Sequence, residues 1–94
     1  MPAEGTRPED VLPGDRDTLT VRGVKVRKGS IAAAMRNMET LESGTAEEKQ
    51  AAMATIRDLA PGLAALGMHR HFICRNPEVE AVLAAAAAEL EARD

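Results

Sequence analysis

Thr18-Leu19-Thr20-Val21-Arg22-Gly23-Val24-Lys25-Val26-Arg27-Lys28 is the stretch that decides the fold. Valine and threonine dominate it and a glycine sits at its middle, the marks of a strand interrupted by a turn. With Arg22-Gly23 as the turn, Val21 pairs with Val24 and Leu19 with Val26, all on one face. Thr20, Lys25 and Arg27 then line the other face. The alternation holds on both arms, so a hairpin fits better than one long strand. Arginine is a poor first residue for a tight primed turn, which leaves room for a longer one. A two-stranded hairpin is marginal alone and must pack on something.

Helices follow. Gly29-Ser30 stops the strand and offers Ser30 as an N-cap. A first helix is expected over 31–42, with Ile31, Ala34, Met35, Met38 and Leu41 on one stripe. Ser43-Gly44 ends it, and Thr45-Ala46-Glu47-Glu48 is a capping box that opens a second helix over 46–60. That helix is apolar at Ala52, Met53, Ile56, Leu59 and Ala60. Pro61 either kinks it or starts a short turn over 63–66 that Gly67 closes. Residues 68–75 are too mixed for a regular element and read as extended or loop. Asn76-Pro77-Glu78 combines an N-cap, a first-position proline and a first-turn acid, and starts a third helix over 77–92. Its stripe is Val79, Val82, Leu83, Ala86 and Leu90.

Residues 1–16, with Pro2, Gly5, Pro8, Pro13 and Gly14 among charges, read as a flexible N-terminal arm whose apolar handle is Val11-Leu12. Residues 17–94 form a single domain of α+β class, an N-terminal β-hairpin packed with three α-helices and dominated by helix.

Composition sets limits on function. Of 94 residues, 18 are alanine, and Leu, Ile, Val and Phe together make up only about 19%. That is close to the level at which disorder becomes a concern, but the net charge of -3 is too small to complete the warning. Phe72 is the one aromatic residue, which excludes aromatic cages and the stacking platforms of single-strand nucleic-acid binders. One cysteine, Cys74, forbids an internal disulfide framework and suits a reducing compartment. The acidic, proline-rich start has no apolar run like a signal peptide's, and no stretch approaches a membrane span, so a cytoplasmic protein without membrane partners is expected.

Candidate chemistry is sparse. His69, His71 and Cys74 form the one cluster of soft donors, with Met68 beside them. No second Cys or further His exists to complete a zinc set, so the plainer expectation is a linker with Cys74 buried and the histidines at the surface. A Cys–His nucleophile pair lacks an orienting third group. Glu47, Glu48 and Glu78 sit in first turns, and Glu39, Glu42, Glu80 and Glu91 fall on solvent faces. Gly62 and Gly67 read as helix punctuation, and Gly29-Ser30 lacks the lysine and spacing of a phosphate loop. No catalytic, cofactor or metal site is expected, and no enzyme. Met35, Met38 and Met53 at helical spacing read as core filler or as an adaptable partner groove.

The basic stretch carries the second functional reading. Arg16, Arg22, Lys25, Arg27, Lys28 and Arg36 stand against Asp17 alone, inside an otherwise acidic chain. A strand followed by two helices joined through a Ser-Gly-Thr turn resembles the ribbon-helix-helix repressors, in which the strand dimerises and reads DNA. Lys25, Arg27 and Lys28 would then make the nucleic-acid contacts. The plainer account is a solvated outer face guarding a sheet edge.

In order, the strand pair at 19–28, Gly29-Ser30-Ile31-Ala32-Ala33, Asn37-Met38, Gly67-Met68 and Asn76-Pro77 resemble the pattern of a family of small, uncharacterised bacterial proteins. In that pattern Val-x-(Asp/Asn)-Gly-x-x-Val leads to Gly-(Thr/Ser)-(Val/Ile)-Ala-(Ala/Thr). An Asn, a Gly-containing turn, an acidic helix and a late Asn-Pro follow. The resemblance spans about residues 19–80. The chain departs from it in lacking aromatic residues after the second helix and in ending on a long alanine-rich helix. The resemblance implies a fold and no chemistry. Unpaired hairpin edges and a core thin in large side chains lead to the expectation of a homodimer, through paired hairpins or alanine faces of the third helix. The function expected is that of a non-enzymatic interaction or accessory protein, with a DNA-binding regulator as the alternative.

Overall fold

A two-residue turn at Arg22-Gly23 joins β1 (Thr18–Val21) to β2 (Val24–Arg27) in the computed structural model, which describes residues 6–12, 14 and 16–93. Leu19 pairs with Val26 and Val21 with Val24, the register the alternation predicts. Arg22 takes φ 50 and Gly23 φ 77, so both centres of the turn lie in the left-handed region that a primed turn requires. The turn stays tight although an arginine occupies its first position. Lys25 and Arg27 are exposed, while Val26 is buried on the inner face.

The strand-to-helix corner differs from the expected cap. Gly29, at φ 84, is the N-cap, and Ser30 is the first residue of α2 (Ser30–Ser43). A left-handed corner needs a residue without Cβ. The Ser30 hydroxyl instead turns back and donates to the Arg27 carbonyl at 2.6 Å, which satisfies a buried polar group. α3 (Ala46–Ala65) begins at the capping box in full: Thr45 Oγ1 accepts from the Glu48 N–H, and Glu48 Oε1 accepts from the Thr45 N–H.

Pro61 does not end α3, which runs on for another turn with Ala60, Leu63, Ala64 and Ala65 buried. Tertiary burial of that turn outweighs the roughly 3 kcal/mol that an interior proline costs. Gly62 is therefore inside the helix rather than punctuation, and it lies under the side chain of Val26. Gly67, at φ 87, does close the segment, and a single helical turn, α4 (Met68–His71), replaces the expected loop. Asn76 caps α5 (Pro77–Arg93), its Oδ1 accepting from the Glu78 and Val79 N–H groups. The described part of the arm holds one exposed helical turn, α1 (Pro8–Val11), tied by the Arg7 N–H to Asp10 Oδ2. The rest of the segment expected to be a flexible arm, at 1–5, 13 and 15, lies outside the described residues.

The protein is α+β and dominated by helix, with α3 as the wall shared by its neighbours. One core cluster joins α2, α3 and α5 through Ala34, Met53, Ile56, Ala60, Leu63, Val79 and Leu83. A second joins β2, α3 and α5 through Val26, Ala64, Ala65, Ala87 and Leu90. Alanines at the contacts let the backbones approach closely, which is how a chain poor in large apolar residues fills its interior.

Candidate functional site

The α2 stripe is buried unevenly. Ala34 is enclosed and Met38 and Leu41 are half-buried, but Ile31 and Met35, one turn apart, are exposed. The reason lies in α4. The αL corner at Gly67 turns the chain across the end of α3, and α4 contacts both α3 and α5. The Phe72 N–H donates to the Met68 carbonyl, after which the chain extends. The Cys74 N–H donates to Glu80 Oε1 at 2.8 Å, pinning that extended segment to α5. Glu80 is therefore half-buried and engaged, not a solvent-face acid.

The product is a groove of about 250 Å³ between α2, α3, α4 and the segment after it. Ile31, Met35 and Met38 form one wall and Met68, Phe72 and Ile73 the other, with Leu63 and Ala64 at the floor. Phe72 is 67% exposed and Ile73 83%, unusual values for such side chains. A second recess, walled by Val11, Leu12, Leu19, Val26 and Leu66, shares Ile31 with the first. Every large hydrophobic side chain exposed among the described residues thus lines one of two adjoining recesses. Met53, expected to share the methionine stripe, is in the core instead, and Met68 stands in the groove.

The soft donors do not arrange as expected. His71 is exposed, but His69 is mostly buried, with Nε2 3.4 Å from Glu91 Oε1 and neither ring nitrogen hydrogen-bonded. Cys74 is half-buried at the groove, its thiol donating to Met38 Sδ across 3.9 Å. Among the described residues no three His, Cys, Asp or Glu side chains come together as a metal ion would require.

Lys25, Arg27 and Lys28 are all exposed, the first two on β2 and Lys28 just after it. Their strand, however, is hydrogen-bonded to β1 of its own chain, whereas a ribbon-helix-helix strand pairs with a second subunit. Among the described residues no helix is long and apolar enough to cross a membrane. Comparison with known protein families, with curated proteins and with solved structures finds no match.

Proposed function

We propose that the protein is a non-enzymatic interaction protein of the cytoplasm that works as a homodimer, its second copy seated on the groove face. The observation that carries this reading is the gathering of Ile31, Met35, Phe72 and Ile73 on one face. Their exposures of 44, 53, 67 and 83% make a contiguous apolar patch of the kind that is often functional on a monomer. The face also suits a copy of itself. Phe72 and Ile73 are the most exposed apolar side chains and line the groove together with Ile31 and Met35, so a two-fold axis would bring these same residues of two copies against one another. The groove face, rather than the hairpin edges or the alanine face of α5, is thus the interface proposed.

Light scattering at about 100 μM (a concentration suited to roughly micromolar dimers) should give twice the chain mass. Phe72→Ser with Ile73→Ser should return the monomer with its helical circular dichroism intact. A wild-type monomer at that concentration would overturn the reading. The alternative, a DNA-binding regulator, rests on the exposed trio Lys25, Arg27 and Lys28. It requires duplex binding at about 50 mM salt that falls steeply as salt rises, and loss of that binding in Lys25→Glu with Arg27→Glu.

A further inference from the structure

The recess between the hairpin and the start of α2 joins apolar walls to a basic rim. Leu19, Val26, Ile31 and Leu66 face Val11 and Leu12 of the α1 segment across about 310 Å³, and Arg27 and Lys28 line the same space. We propose that this recess docks a short acidic segment of a partner protein that ends in two adjacent aliphatic residues, and that the chain's own Glu9-Asp10-Val11-Leu12 sits beside it as a built-in competitor. Neither Phe72 nor Ile73 lines the recess, so the proposal stands or falls apart from the dimer.

Three observations carry it. First, the charge around the recess is of one sign. Residues 18–38 contain Arg22, Lys25, Arg27, Lys28 and Arg36 and no Asp or Glu, in a chain whose acids outnumber its bases by 15 to 12. The first turn of α2 also lines the recess and carries no acid, so the positive end of that helix adds to the same field. Among the described residues no carboxylate pairs with Arg27 or Lys28. Second, the chain itself shows what kind of segment fits. Glu9 and Asp10 run directly into Val11 and Leu12, and that aliphatic pair lines the recess. Third, the α1 segment has few ties and fills its place poorly. None of its residues is buried, and Val11 is 47% exposed. Among the described residues, the hydrogen bonds of Arg7, Asp10 and Leu12 stay within the turn. The space stays open with the segment in place.

A partner segment free to settle deeper gains the apolar burial and the charge-assisted bonds that α1 leaves unmade. Nucleic acid would use the two cations and leave the apolar walls idle, whereas an acidic segment with an aliphatic pair uses both. The α1 segment lowers the apparent affinity for that partner by the fraction of time it occupies the recess, so it acts as a threshold.

The test is fluorescence anisotropy of a labelled, end-capped peptide copying residues 8–12, Pro-Glu-Asp-Val-Leu, titrated with the intact protein. Wild type should bind it, and Val11→Ser with Leu12→Ser, which disables the competitor in the full chain, should bind it about 10-fold more tightly. Arg27→Glu with Lys28→Glu should weaken binding by about 10-fold or more in either background. A peptide with Ser-Ser in place of its Val-Leu pair should bind about 10-fold more weakly. Val11 and Leu12 belong to neither core cluster and Arg27 and Lys28 are exposed, so the variants keep the fold, which circular dichroism checks. The proposal is overturned if the peptide does not bind the Val11→Ser, Leu12→Ser protein, or binds it no more tightly than the wild type. Equal binding of the Ser-Ser peptide overturns it too, since the site would then be a patch for any polyanion, nucleic acid included. Binding that survives Arg27→Glu with Lys28→Glu does the same from the other side, leaving an apolar recess with no part for charge.

Discussion

Two glycines on α3 and its approach show how position decides the sign of a substitution. Gly62 sits inside α3, and a methyl group added there would stand 3.6 Å from the Val26 side chain, an ordinary contact. Alanine is favoured over glycine in a helix interior by about 0.5–1 kcal/mol, so Gly62→Ala should raise stability by that amount in urea unfolding. Gly44 is the opposite case. Its φ of -77 suits any residue, yet a methyl group there would meet the Thr40 carbonyl at 2.7 Å. Gly44→Ala must displace the α2–α3 turn and should lose about 1–2 kcal/mol in the same measurement. A gain at Gly44 or a loss at Gly62 would contradict these contacts.

Helix starts are the elements most open to a direct test. Asn76 Oδ1 serves two N–H groups at the head of α5, and Asn76→Ala should cost about 1 kcal/mol of stability, read from the urea midpoint. This cap, the Thr45–Glu48 box and the Val21–Val24 and Leu19–Val26 pairs were all legible in the sequence. Each is a local pattern whose physics is complete within a few residues. What escaped the sequence depends on distant partners. The Ile31 and Met35 side chains belong to a good helical stripe, but nothing in that stripe says that α4 and the segment after it leave a gap beside α2. The burial of His69 depends on the αL corner at Gly67 swinging α4 toward α5. Ser30 looked like a cap because Gly29 looked like a mere strand stop, when the corner needed its positive φ. The groove was thus half visible: its methionines could be named, but which of them face outward could not.

At the scale of the molecule, α3 is the common wall, and Pro61 falls four residues before its end. Met53 and Ile56 precede the proline and pack in the cluster with α2, while Ala64 and Ala65 follow it and carry the hairpin. Pro61 is exposed, so Pro61→Ala opens no cavity and restores an N–H for the Arg57 carbonyl. A rise in stability of about 1–3 kcal/mol is expected, less than the full helix penalty because the unfolded chain gains freedom as well. Calorimetry of the variant measures it. The missing hydrogen bond also has a mechanical meaning. A rod is most compliant where one of its ties is absent, and here that point lies among Ile56, Ala60 and Leu63, the α3 residues of the cluster shared with α2 and α5. A bend at the proline would have to part Ile56 and Ala60 from Leu63, which lie on either side of it in one cluster, so the core acts as the splint that keeps α3 straight where its own ladder is broken.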